Sequence, residues 1–190
     1  MTVRPILTIG NPELRIVAEA VDPNDITSPA TQQLIDDLID TMRDANGAGL
    51  AATQVGAHVR IAVMEVGDNP RYPYKPRMPL TVAINPIIEP IDDELVEVNE
   101  GCLSVPDLRG AVPRPARIRY RGIGQDGVAI EREVAGFHAR VVQHECDHLD
   151  GILYPMRMSD LTSLHYVSEI RHNPLLRGPA AKPPEESDVA

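Results

Sequence analysis

The sequence predicts an α+β fold in which antiparallel β-sheets pack around a central helix. Three observations predict it. Several short segments alternate apolar and polar residues, the pattern of a half-buried antiparallel strand. One helix-period segment, from about Gly136 to Asp150, carries His144-Glu145-Cys146-Asp147-His148. No strand-helix alternation repeats along the chain, which argues against a doubly wound parallel sheet.

The elements follow in order. Ser28-Pro29 is an N-cap followed by proline at the first helical position. Leu34, Ile35, Leu38, Ile39 and Met42 then recur at helical spacing, and Gly47 marks the stop. Strand character begins where Val59, Ile61 and Val63 alternate, and again at Val82 and Ile84. Between them Asp68 to Pro79 is polar and holds Pro70, Pro73, Pro76 and Pro79, so it reads as a loop, and as an insertion without chemical residues. Ile118 and Tyr120 alternate with Arg117, Arg119 and Arg121; Val128, Ile130 and Val134 stand opposite Glu131 and Glu133. Gly151 ends the His-bearing helix. A third helix is expected from about Ser159, as its cap, to His172, with Leu161, Leu164 and Val167 on one side. The expected organisation is a single domain over 1–177. Gly178 to Ala190, rich in Pro, Ala and acid, reads as a disordered tail.

Composition narrows the function. A length of 190 residues with 43% apolar content supports one domain with a substantial core. The net charge of −10 argues against a DNA-binding protein, since phosphate contacts need clustered Lys and Arg. Phe137 and five Tyr are the only aromatic residues, too few for a base-stacking platform. Two Cys cannot build a disulfide scaffold. No apolar run approaches the roughly 20 residues of a membrane span, and Met1 to Gly10 lacks the basic and apolar regions of a signal peptide. A cytoplasmic protein is expected.

The chemistry centres on the HExxH segment. A helix advances about 100° per residue, so His144 and His148 share a face and Cys146 points away from it. Two imidazoles one turn apart make a bidentate metal site, and Glu145 lies beside it, placed to take a proton from water. A catalytic metal needs a third ligand. An extended metzincin pattern requires His where Tyr154 stands, so that reading fails. A thermolysin-like protease would use a Glu about twenty residues downstream, and Glu169 stands there. The third candidate is Cys102 in Glu100-Gly101-Cys102-Leu103-Ser104, where Gly101 allows close backbone approach and Pro106 is expected to end the segment. A third segment, Gly47-Ala48-Gly49-Leu50-Ala51-Ala52-Thr53-Gln54, follows a helix stop with small residues. It suggests backbone exposed to a ligand, with Gln54 offering an amide donor.

These three segments, in this order, resemble the peptide deformylase family, which is marked by G-x-G-L-A-A-x-Q, E-G-C-L-S and H-E-x-D-H. Ile6 to Val21 and Ile84-Asn85-Pro86 are also similar to the family, and the resemblance runs to about Met158. It implies removal of the formyl group from the N-terminal formyl-methionine of new bacterial polypeptides. Cys102, His144 and His148 would ligate the metal, usually Fe²⁺, with Zn²⁺, Ni²⁺ or Co²⁺ able to occupy the site. Cys and His donors by themselves suit zinc; iron follows from the resemblance alone. Glu145 would act as general base and then acid. The Gln54 amide and the Leu103 backbone N–H would stabilise the oxyanion. Ala48, Gly49 and Gly101 would let the substrate backbone lie against the protein as an added strand, and Glu100 would pair with Arg109. Some relatives dock on the ribosome through a long basic C-terminal helix. From Ser159 onward Arg171, Arg177 and Lys182 face Asp160, Glu169, Glu185, Glu186 and Asp188, a balance that argues against more than a transient ribosome contact. The alternatives are the thermolysin-like protease using Glu169 and a noncatalytic metal-binding relative.

Overall fold

A computed structural model describes residues 2–67 and 76–172. The expected tail and most of the expected proline-rich loop lie outside the described residues; strand β3 (Met78–Pro90) already begins at the end of that loop.

Helix α1 (Pro29–Asp44) starts where expected: the Ser28 side chain accepts from the Thr31 N–H, and Pro29 fills the first turn. Its stop differs by one residue. Asn46, at φ 52°, takes the left-handed position, and the N–H groups of Asn46 and Gly47 return to the carbonyls of Arg43 and Met42. Asn tolerates that conformation, so Gly47 is free to serve the site instead.

Strands β1 (Gly49–Ala51), β2 (Ile61–Val66), β3, β6 (Arg117–Ile123) and β7 (Ala129–Ala135) form one antiparallel sheet in the order β1-β2-β3-β6-β7. Along β6 the alternation holds: Ile118 and Tyr120 are buried and the intervening arginines exposed. Val128 falls just outside β7 and is exposed. β2 does not alternate, because the sheet is covered on both faces. Ile61 and Val63 pack with Ile35, Leu38 and Met42 of α1. Met64 and Val66 pack with Ala139, Val142 and Cys146 of α2 (Gly136–Leu149). A strand buried on both sides reads as a continuous apolar run, and IAVMEV does apart from Glu65, which pairs with Arg43.

A second sheet holds β4 (Leu95–Cys102), β5 (Val105–Pro115) and the two-residue β8 (His165–Tyr166), in the order β4-β5-β8. Pro106 does not end the segment; it lies within β5, between the β4-paired positions Val105 and Gly110, where no ladder N–H is required of it. The third helix is absent. Its span forms short 3₁₀ turns at Leu161–Ser163 and Val167–Arg171, flanking β8. Leu161 and Val167 are exposed and, of the expected stripe, only Leu164 packs against the core, so no continuous apolar face is covered there. Asp160, not Ser159, caps the first turn by accepting from the Thr162 N–H; the Ser159 hydroxyl donates to Glu97.

The N-terminal segment fastens the two sheets together. The Leu7 N–H donates to the Gln54 carbonyl at 2.8 Å, and the Ile9 N–H to the Ser104 carbonyl at 2.7 Å. α2 ends near Gly151, whose φ of 69° turns the chain away.

Candidate active site

Three separated segments converge on one cavity of about 140 Å³. Its wall includes Ala48 and Gly49 from β1 and its approach, Gln54 from the 3₁₀ turn Ala52–Val55, Gly101 and Cys102 from the end of β4, Leu103 from the β4–β5 turn, and His144 and Glu145 from α2. His148 stands behind Cys102 and is buried. The donor atoms of Cys102, His144 and His148 all lie within 4.8 Å of one another. His148 Nε2 is 3.1 Å from Cys102 Sγ, and the two imidazole rings lie 5.0 Å apart at 76°. One soft sulfur and two ring nitrogens, with Cys102 and His148 buried and His144 half-buried, fit a transition-metal ion. Glu169 lies in an exposed 3₁₀ turn beside Ser168 and does not join this group.

The electrostatics favour a thiolate at Cys102. Burial by itself would raise the Cys102 thiol, but the charges and hydrogen bonds of His148 and His144 outweigh it and hold it well below its ordinary pKa. The Ser104 N–H, at 3.3 Å, and the Gln54 side-chain amide, at 3.7 Å, both point at the sulfur. Cys146 is its opposite. It packs among the sheet residues on the other side of α2, and burial pushes its thiol up to about 12. Both cysteines are free.

Glu145 is buried, and burial raises its carboxyl to about 7. Its Oε2 has no hydrogen-bond partner among the described residues. The carboxyl packs against Gly49, where a Cβ would collide with it, so the second glycine of the small-residue segment makes room for Glu145. The side chain of Gln54 is braced on both ends: Oε1 accepts from the Ala51 N–H at 2.8 Å and Nε2 donates to Ser104 Oγ at 3.1 Å.

The expected Glu100–Arg109 pair does not form. Glu100 pairs instead with Arg114, Nε to Oε1 at 2.5 Å and Nη2 to Oε2 at 2.9 Å, and with Arg140 at 2.9 Å. Strand geometry explains the difference. Glu100 lies opposite Gly110, so Gly110, Val112 and Arg114 share its face of the hairpin, whereas Arg109 faces the other way. There the Arg109 guanidinium covers Gly101, filling the space a Cβ would need, and donates to the Leu108 carbonyl. Glu100 also accepts from His144 Nδ1 at 2.9 Å. A carboxylate only accepts, so Nδ1 carries a hydrogen and Nε2 is the ring atom through which His144 would ligate a metal. Tyr154, the residue that breaks the metzincin pattern, stacks on the His144 ring at 6.4 Å and 24°.

The polypeptide deformylase family profile matches residues 3–163. This chain belongs to the peptide deformylase family. Among relatives, "Peptide deformylase 1" of Nitrosomonas europaea is 47% identical over 168 residues, 88% of this chain and 94% of that protein. "Peptide deformylase 2" of Ralstonia nicotianae is 53% identical over 160 residues, 84% and 89% of the two chains. A class I type b peptide deformylase of Acinetobacter baumannii, solved with Met-Ala-Ser bound, superposes with a TM-score of 0.79 at 39% identity, covering 83% of this chain and 99% of that one. The chain is therefore an amide hydrolase that removes an N-formyl group, and its deformylase fold brings a Cys/His/His set together that could hold a metal. Neither the thermolysin-like nor the noncatalytic reading is supported. Sequence reasoning gave no role to Arg114, Arg140 or Asp147, although Asp147 is the Asp of the H-E-x-D-H segment.

Proposed function

We propose that the chain releases formate from the N-terminal formyl-methionine of newly made polypeptides in the cytoplasm, with one Fe²⁺ held by Cys102, His144 and His148; Zn²⁺, Ni²⁺ and Co²⁺ fit the same donors. The carrying observation is the Cys102 sulfur and two imidazoles gathered beside the Glu145 carboxyl in one cavity. When bound, the metal supplies Lewis acidity that makes water a nucleophile near neutral pH.

The protein's own groups do the rest. Glu145, with a pKa of about 7, takes the proton from the attacking water and returns it to the leaving amine. The Gln54 amide and the Leu103 N–H supply donors for the oxyanion. Ala48, Gly49 and Gly101 leave the backbone open, so a peptide adds as a strand along the cavity. The apolar wall of Val98, Phe137 and Val141 suits a methionine side chain. The Met-Ala-Ser held by the Acinetobacter relative has the sequence of such a product peptide.

Metal analysis of anaerobically purified protein, combined with formate release from formyl-Met-Ala, tests this reading. Cys102→Ala is expected to lose the metal and the activity, and Glu169→Ala to keep both; the reverse would sink it. Gln54→Ala is expected to lower kcat by about 10²–10³-fold with little change in KM. Unchanged kcat would remove Gln54 from the oxyanion role.

A further inference from the structure

The His144 ring is tied to a side chain on a separate segment by an unbroken row of ion pairs. Arg157 follows the 3₁₀ turn Tyr154–Met156, and its side chain is 47% exposed. It grips both oxygens of Asp147, Nη2 to Oδ1 at 2.7 Å and Nε to Oδ2 at 3.3 Å. Asp147 Oδ2 accepts from Arg114 Nη1 at 2.8 Å. The remaining edge of the Arg114 guanidinium clamps both oxygens of Glu100, and Glu100 Oε2 accepts from His144 Nδ1. Arg114, Glu100 and Asp147 are buried. A second cavity opens on the Cys146 side of α2, walled in part by Arg114, Asp147 and Arg157, and brings solvent to the outer end of the row.

We infer that Arg157 and Asp147 are positioning residues for the metal centre, acting through Arg114 and Glu100 to fix the orientation and tautomer of His144. The inference rests on the metal-dependent deformylase reading above. Each link is a charge-assisted hydrogen bond, which is short and directional. Two contacts from Arg157 stop the Asp147 carboxylate from rotating, so Oδ2 stays aimed at Arg114 Nη1. With Nη1 held there, the Nε–Nη2 edge stays square to Glu100. The carboxylate that accepts the Nδ1 hydrogen then cannot swing, and neither can the ring. Groups behind metal-ligating histidines commonly set metal affinity in this way.

The test is Co²⁺ binding to the metal-free full chain, measured by chelator competition and by the visible and thiolate charge-transfer absorption of the bound ion. Arg157→Met keeps the stem and removes the guanidinium. It is expected to weaken Co²⁺ binding by about 10–100-fold, to shift the visible bands, and to lower kcat for formyl-Met-Ala with KM near wild type. Arg157→Lys, with charge but no planar edge, should recover part of the loss. Asp147→Asn, close in shape, should weaken binding in the same direction and decides the matter if Arg157→Met does not fold. Wild-type affinity and spectrum in Arg157→Met and Asp147→Asn would overturn the inference, as would a lowered Tm with unchanged Co²⁺ affinity. Wild-type protein whose Co²⁺ uptake is absent, or indifferent to Cys102→Ala, would instead overturn the metal-centre reading itself.

Discussion

Replacing Glu145 by alanine is expected to abolish formate release while leaving one metal ion per chain. The residue is not among the three grouped donors, so metal content should hold. Its carboxyl is buried against Gly49, and burial raises it to about 7, where it exchanges protons readily at physiological pH. General acid–base catalysis typically contributes about 10²–10⁴-fold, and a residue that serves as both base and acid stands at the upper end. A second measurement separates chemistry from folding. The metal-free variant should unfold at a temperature no lower than wild type, because the mutation removes a buried carboxyl whose Oε2 has no partner among the described residues. Formate release near the wild-type rate would end the proposed role.

Arg114→Met is the expected large stability loss. Arg114, Glu100 and Asp147 are 4%, 5% and 7% exposed, and the guanidinium is the group that joins the two carboxylates. Removing one partner of a buried ion pair leaves uncompensated charge and costs about 3–5 kcal/mol. For a chain of this size that is a fall in Tm of roughly 6–20 °C. The pH dependence has a definite sign. Burial would raise the Glu100 carboxyl, but hydrogen bonds and charge from His144 and Arg114 hold it well below its ordinary value. Its contribution is therefore full above the unfolded carboxylate pKa of about 4.3 and is lost as pH falls toward the folded value. The gap in Tm between wild type and Arg114→Met should be widest near neutral pH and should narrow below about pH 4. A gap that stayed constant with pH would mean that Arg114 contributes through packing alone.

The elements legible in the sequence are those whose pattern is set by one neighbour. α1 shows its cap and its apolar stripe because it covers one sheet face. β6 alternates because its arginines face outward. The chemistry of His144, Glu145 and His148 follows from helical spacing alone. The β4–β5 hairpin was not legible, because prolines and glycines break it and its buried face carries Glu100 and Arg114. Hydropathy counts each of those as surface; only their mutual neutralisation makes the face a core. The Arg109 partnership failed for the related reason that one step along a strand reverses the face, and that parity is visible only once the strand register is known. The third helix had the right period, but of its stripe only Leu164 finds a surface to pack against, which a single segment cannot reveal.

Strands β1 and β4 are each the outermost member of their sheet, and both line the same cavity. A peptide lying between them would add to the two sheets at once and turn them, for the duration of binding, into one continuous ladder. An outermost strand also invites pairing with a foreign chain, the usual route to self-association. Here that hazard is limited by geometry: β1 is three residues long, and it and the C-terminal half of β4 line a cleft. On the proposed reading, that edge surface is what a single extended polypeptide end would occupy.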